Sequence, residues 1–230
     1  MRVAIIQSSY IPWKGYFDLI RSVDTFVFYD DVQFTTRDWR TRNKIKTANG
    51  AQWLTIPVGN KTDRLIHEVK IEDHSWQRKH WASIVHNYSR APFFKQYEAL
   101  FRDIYLGVEW RSLSEFNQHL TRVIATELLG LKTEFRDSRE FHVSGRKQDR
   151  LIELLRCIGG THYLSGPSAR NYIDPRQFEA SGIELTFHDY PPYPEYPQLY
   201  PPFEHAVSVL DLLFNVGPTA AHYIWGWREE

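Results

Sequence analysis

The stretch that decides the fold is residues 3–31, VAIIQSSYIPWKGYFDLIRSVDTFVFYDD. It opens with a short apolar run at 3–6, the pattern of a strand buried on both faces of a parallel sheet. Residues 15–23 place apolar side chains three apart on one face and predict a helix. Residues 24–31 are rich in aromatic and β-branched side chains and predict a second strand. A strand, a helix and a strand in about 30 residues form a right-handed crossover unit, which predicts a parallel sheet.

The rest of the chain continues this alternation around a helical stretch. Residues 52–58 and 64–73 predict further strands, and residues 75–130 contain three amphipathic helical patterns. Three more strands are predicted at 133–138, 161–166 and 183–190, with helices at 146–160 and 206–217. The proline-rich stretch 190–205 predicts an extended wrapping loop, because proline disfavours regular structure. We expect one α/β domain over residues 1–230, with an open parallel-sheet Rossmann-like core and a helical insertion at 75–130.

Composition restricts the classes of function. The chain has 28 basic and 28 acidic residues, and this neutral balance argues against binding nucleic acid or a membrane surface. Cys157 is the single cysteine, so no intramolecular disulfide or cysteine zinc site is expected. We see neither a signal peptide nor an apolar run of the roughly 18 residues that span a membrane. The expected partner is a small molecule, and the expected location is the cytoplasm.

The turn after the first strand is the first candidate site. In open parallel sheets, ligands bind beyond the carboxyl ends of the strands, where Gln7 and Tyr10 lie. Gly15 permits close backbone approach, and the start of the following helix favours an anion such as phosphate. Trp13 and Tyr16 then form a pocket wall, or alternatively they only plug the edge of the sheet.

Acidic residues follow the second strand. Asp30 and Asp31 point to opposite faces if the strand persists, so a shared-proton pair is not expected. One could bind sugar hydroxyls or a metal ion, while the other caps a turn. Gln33 points the same way as Asp31. A solvated turn is the alternative interpretation.

Two further stretches carry anion-binding side chains. Residues 37–46 form a local basic patch in which Trp39, Arg42, Asn43 and Lys46 suit phosphate or carboxylate recognition. A solvated loop explains the same residues. The stretch that ends the 161–166 strand also places polar groups at a carboxyl end, and these are Ser165, Gly166, Arg170 and Asn171. Asp211, flanked by apolar residues on the last helix, needs polar partners and favours a structural role.

Four stretches, 5–20, 26–58, 161–174 and 208–217, together resemble the WbqC-like family of bacterial proteins. The family usually has Pro and Asn where this chain has Ser8 and Ser9. The resemblance implies a role in O-antigen or other surface-polysaccharide synthesis, as a transferase that attaches glycine or another acyl group to an amino sugar. It identifies neither a catalytic residue nor a cofactor.

A second resemblance concerns the fold. The first turn is similar to that of HIGH-type nucleotidylyltransferases, but Gly15-Tyr16 stands where those enzymes have Gly-His. Three hypotheses follow. The first is acyl or aminoacyl transfer to a nucleotide-linked amino sugar, with Asp30 or Asp31 as the base. The second is nucleotidyl transfer or ATP-dependent activation, and the third is a non-catalytic nucleotide- or glycan-binding protein.

Overall fold

The computed structural model describes residues 1–228, and it contains seven strands within that range. They are β1 (Arg2–Ile6), β2 (Thr25–Phe28), β3 (Arg42–Thr47), β4 (Gly50–Thr55), β5 (Glu134–Asp137), β6 (His162–Ser165) and β7 (Glu184–Phe187). The helices are α1 (Lys14–Arg21), α2 (Ser75–Tyr88), α3 (Phe94–Leu106), α4 (Leu113–Val123), α5 (Lys147–Ile158), α6 (Pro175–Ala180) and α7 (Val209–Val216). The predicted α/β class is confirmed.

Five strands form a parallel sheet in the order β5-β2-β1-β6-β7. The chain moves outward from β1 through β2 to β5, then returns to the other side of β1 and continues to β7. The order therefore reverses between β1 and β6, which is the arrangement of a Rossmann-like open sheet. In such sheets, the crevice at the reversal is the usual ligand site. The strand order lends no specific support to a HIGH-type fold.

Both faces of the sheet are covered, as the apolar run at 3–6 predicts. Val3 and Ile5 of β1 pack in a core cluster with Leu155 of α5 and Phe178 of α6. Ala4 belongs to a larger cluster on the opposite face, which includes side chains of α1, α2, α3, α4 and α7. Alternate residues of one strand thus enter two cores, which explains why the strand lacks a polar face.

Two predicted strands are corrected by the structure. Residues 52–58 do not join the parallel sheet, because β4 pairs antiparallel with β3 in a separate hairpin. The strand β3 was not predicted from its basic sequence. Residues 64–73 form a single 3₁₀ turn at Ile66–Glu68 instead of a strand. The carboxylate of Glu68 accepts a hydrogen bond from the amide of Leu65 at 2.7 Å and closes this turn.

The proline-rich segment wraps over the large core without regular secondary structure, as predicted. Two of its tyrosines anchor it to buried aspartates. Tyr193 donates to Asp18 at 2.7 Å, and Tyr196 donates to Asp211 at 2.6 Å. Asp211 therefore holds this segment against α7. Among residues 1–228, no helix combines the length and apolar character needed to cross a membrane.

Candidate functional site

The site begins with a buried carboxylate that joins two strand ends to a helix. Asp30, directly beyond β2, accepts hydrogen bonds from the amide of Ser8 at 2.8 Å and from the hydroxyl of Ser114. Gln118 of α4 also donates to it, at 3.2 Å, and to Asp137 at the end of β5, at 2.8 Å. Both oxygens of Asp30 are occupied and its side chain is fully buried. This carboxylate fixes the loop after β1 against α4.

Asp31 faces a different environment, as its predicted opposite orientation requires. Its carboxylate forms an ion pair with Arg150 of α5 and accepts a hydrogen bond from Ser138 at 2.5 Å. The side chains of Asp31 and Arg150 remain 13% and 15% exposed. The guanidinium of Arg150 also lies over the ring of Tyr29, 5.2 Å from its centroid. This ion pair is a partly accessible charged group at the carboxyl edge of the sheet.

Gln7 lies next to this edge, at the end of β1. Its side-chain oxygen accepts a hydrogen bond from Arg40 at 2.5 Å, and Arg40 pairs with Asp38 at 2.8 Å. The hydroxyl of Tyr16 donates to the carbonyl of Gln7 at 3.1 Å. The hydroxyl of Ser8 is buried and has no hydrogen-bond partner within the described chain. The turn after β1 therefore presents a guanidinium, an amide and an uncommitted hydroxyl close together.

The start of α1 is closed, contrary to the expected phosphate site. A Cβ atom on Gly15 would lie 2.3 Å from the ring of Trp13. The indole therefore packs directly on the glycine and occupies the space in which a phosphate was expected. Trp13 in turn packs against Tyr190 and Tyr193, with ring centroids 4.9 and 5.7 Å apart. Gly15 is required for this packing rather than for approach of an anion.

Tyr10 belongs to the core rather than to an open pocket wall. Its hydroxyl lies 2.7 Å from Nδ1 of His80 and 2.8 Å from the hydroxyl of Tyr105. Burial lowers the pKa of His80 to about 4, so its ring is neutral at physiological pH. Burial also raises the pKa of Tyr10 well above its ordinary value. Asn43 donates to the carbonyls of Tyr10 and Ile11, at 3.2 and 2.8 Å, and fixes the same loop.

The remaining basic residues lie on the hairpin. Arg42 stacks over Trp53, with its guanidinium carbon 4.4 Å from the ring centroid. Trp39 lies 5.7 Å from Trp53, and both rings are exposed. Lys46 is buried and donates to the carbonyl of Pro202 at 2.5 Å, so it anchors the proline-rich segment. Of the four residues singled out in the predicted patch, Trp39 and Arg42 are accessible to a ligand, whereas Asn43 and Lys46 are buried.

The end of β6 supplies the other side of the crevice. The backbone carbonyl of Ser165 accepts a hydrogen bond from the amide of His188 at 2.8 Å. This bond joins the ends of β6 and β7. Gly166 is open, because a Cβ there would have no heavy atom within 4 Å. Arg170 pairs with Asp189 at 2.7 Å, and Asn171 is exposed. Gln33 is exposed, and its amide contacts the carbonyl of Thr62 at 3.3 Å rather than either aspartate.

Several residues of this edge are not among the predicted site residues. Arg40 was part of the predicted basic patch but was not singled out, and Arg150 lies in a helix with no local signal. Ser138 ends the predicted strand at 133–138, so the carboxyl-end rule could have found it. Between residues 1 and 228, no group of three or more His, Cys, Asp or Glu side chains is placed to hold a metal ion.

Comparison with known proteins agrees with the motif resemblance. A family model described as the WbqC-like protein family matches residues 7–223. The chain belongs to this family. A Mycobacterium tuberculosis (strain ATCC 25618 / H37Rv) protein named "Uncharacterized protein Rv1507c" is 45% identical over 225 residues, which are 97% of each chain. No solved structure matches the chain. The matched residues begin at Gln7 and include the carboxyl edge of the parallel sheet, the β3–β4 hairpin and the helices α1 to α7.

Proposed function

We propose that this WbqC-like protein is a transferase of surface-polysaccharide synthesis, which moves an acyl or aminoacyl group onto the amine of a nucleotide-linked sugar. The observation that carries the proposal is the set of polar groups beyond the carboxyl ends of β1 and β2. There Gln7, Arg40, Asp31 and Arg150 lie at the carboxyl edge of a parallel sheet. Ligands of open α/β sheets bind at this edge. The resemblance to the family supplies the substrate class.

Asp31 is the better candidate for the base. Asp30 is fully buried, and each of its oxygens already accepts a hydrogen bond. Asp31 keeps some exposure and lies beside the cation of Arg150. A general base must be within reach of the proton it accepts, and the partial exposure of Asp31 lets a substrate amine approach its carboxylate. We therefore assign Asp30 to positioning and Asp31 to proton transfer.

The proposed reaction is a single acyl transfer from the donor to the amine of the sugar. The sugar amine attacks the acyl carbonyl carbon, the new carbon–nitrogen bond forms, and the bond to the donor's leaving group breaks. Asp31 accepts the proton that the amine loses. Arg40, which is hydrogen-bonded to Gln7 at the end of β1, supplies positive charge for the developing oxyanion or for the phosphates of the sugar nucleotide.

The first experiment is a thermal-shift panel on purified protein. The ligands are UDP- and dTDP-linked amino sugars, coenzyme A esters, aminoacyl donors and ATP, each with and without magnesium. A ligand at about 100 times its dissociation constant adds roughly 2.7 kcal/mol to the free energy of unfolding, which is a readable shift. A shift with a sugar nucleotide supports the proposal. A shift with ATP that requires magnesium supports nucleotidyl transfer instead.

Activity is then measured by mass spectrometry of the sugar nucleotide after incubation with the donor that binds. Asp31→Asn should retain sugar-nucleotide binding and reduce product formation by about 100-fold or more, as loss of a general base does. Glu184→Gln is the control, because Glu184 is also ion-paired, with His162 at 2.9 Å, but lies at the amino edge of the sheet. Full activity of Asp31→Asn would refute the role of Asp31. Binding without any product in the parent protein would support a non-catalytic binding protein.

A further inference from the structure

The outer face of the β3–β4 hairpin carries cations without acidic partners. Arg42 and Lys44 alternate along β3, and Trp53 lies directly opposite Lys44 on β4. Cross-strand neighbours share a face, so these three side chains project together. Throughout residues 1–228, no aspartate or glutamate lies within ion-pair distance of Arg37, Arg42 or Lys44. Arg40, on the same segment, pairs with Asp38.

A cavity of about 170 Å³ adjoins this face. Its polar lining consists of Thr36, Arg37, Thr41, Arg42, Thr55 and Asn60. Phe34 and Ile56 provide apolar walls. Pockets that enclose a whole drug-sized ligand measure roughly 300–1,000 Å³, so this cavity is sized for one group of a larger molecule.

The two arginines of the cavity are prepared for an anion. The Nε–H group of Arg42 is buried and has no acceptor among the described residues, and a buried donor without a partner is costly. The guanidinium is held in place by stacking on Trp53. Arg37 has a φ of +59°, a left-handed conformation that costs a residue with a side chain some energy. Such strain concentrates at ligand sites.

Two exposed indoles lie beside these cations. Trp39 and Trp53 are 52% and 40% exposed, and their rings are tilted by 34° with centroids 5.7 Å apart. Exposed tryptophans next to arginine form stacking platforms for flat rings. The neighbouring cavity and platform together match a ligand that joins a phosphate group to a planar ring.

We propose that the hairpin cavity binds a phosphate or diphosphate group through Arg37 and Arg42, and that Trp39 and Trp53 stack on an attached ring. The group recognised is the phosphate, which is present both in a nucleoside diphosphate and in inorganic phosphate or pyrophosphate. Planar guanidinium groups bind phosphate oxygens in a bidentate manner. The residues named here differ from those of the proposed transferase edge, and the inference stands whether or not transfer occurs there.

The test uses the full chain and two probes, inorganic pyrophosphate and UDP, titrated by calorimetry at low salt without metal ions. Both probes should bind. Arg42→Gln and Arg37→Gln should each weaken both probes about tenfold or more, since charge-assisted bonds are the strong ones. Trp39→Ala should weaken UDP about fivefold or more but leave pyrophosphate unchanged, because stacking holds only the ring. Arg176→Gln, which removes an exposed arginine paired with Asp174, is the matched control and should change neither.

Nuclear magnetic resonance locates the bound probe. The chain has 8 tryptophans, and the indole signals of Trp39 and Trp53 are assigned by substituting each with phenylalanine. Pyrophosphate should shift the Trp53 signal, and UDP should shift both. The inference is overturned if neither probe binds, if both arginine variants bind them as the parent does, or if UDP shifts neither the Trp39 nor the Trp53 signal. Arg37 is exposed, so Arg37→Gln keeps the test valid should Arg42→Gln fail to fold.

Discussion

Replacing each of the two adjacent aspartates by asparagine should separate positioning from chemistry. The variants Asp30→Asn and Asp31→Asn are nearly isosteric with the parent, so the lost interactions dominate the change in free energy of unfolding. We expect Asp30→Asn to be the more destabilising by a wide margin. The reason is the number of buried donors that converge on Asp30, against the partly exposed pair formed by Asp31.

The magnitude follows from the contacts of Asp30. Its Oδ1 accepts the amide of Ser8, and its Oδ2 accepts the hydroxyl of Ser114 and the side-chain amide of Gln118. An asparagine NH₂ in the second position would face the NH₂ of Gln118. Gln118 cannot reverse without turning its oxygen toward the carboxylate of Asp137. One buried donor left without a partner costs about 1–3 kcal/mol, and weakening the others brings the loss to about 3 kcal/mol.

Asp31→Asn should cost about 1 kcal/mol. Arg150 keeps its bond to the carbonyl of Asp31 at 2.9 Å, and water can reach the partly exposed pair. Urea unfolding followed by circular dichroism measures both variants, with equal slopes expected because the fold is unchanged. The two losses correspond to melting temperatures roughly 6–12 °C and 2–4 °C below the parent. Equal losses, or a greater loss for Asp31→Asn, would refute the assignment of Asp30 as the buried anchor.

Two further predictions concern α1. Gly15→Ala should lower the free energy of unfolding by about 1–3 kcal/mol in urea, because the new methyl group overlaps the ring of Trp13. Gly166→Ala is the control and should change it by no more than about 0.5 kcal/mol. Equal effects of the two substitutions would contradict the packing of Trp13 on Gly15. Burial lowers the pKa of Lys14 to about 8, so the unfolded chain binds more protons between pH 8 and 10.5 and stability should rise with pH there. Lys14→Met should lose this rise relative to the parent. The pKa of His205, held low by burial and by the nearby Lys14 cation, should rise in the same variant when titrated by nuclear magnetic resonance.

The parallel sheet could be predicted because its strands are short apolar runs separated by helical patterns. The hairpin could not, because β3 carries Arg42, Lys44 and Lys46 on a strand whose apolar contribution to the core is Ile45. The prediction of a strand at 64–73 was also wrong, and the spacing of its apolar residues shows why. Their apolar side chains at Ile66 and Val69 are three apart, which suits a turn that points them into one core rather than a strand.

The candidate site was predicted in outline and not in detail. The carboxyl-end rule led to Gln7 and Asp31, because local sequence is enough to locate the end of a strand. It could not reveal that Asp31 meets Arg150, which is 119 residues away in sequence. Nor could it distinguish Tyr10, which is buried against His80, from Trp39, which is exposed. Polar-tipped aromatics serve cores and surfaces alike, and tertiary packing decides between them.

The position of β1 in the middle of the sheet has a consequence for the protein during its synthesis. One edge of β1 pairs with β2, which leaves the ribosome soon afterwards. The other edge pairs with β6, which begins at His162. At about 5–20 residues per second, the intervening stretch of about 130 residues takes roughly 7–27 s to make. During that time the nascent chain exposes an unpaired apolar strand, the kind of edge that recruits other chains. Chaperone demand should therefore be greatest before β6 emerges.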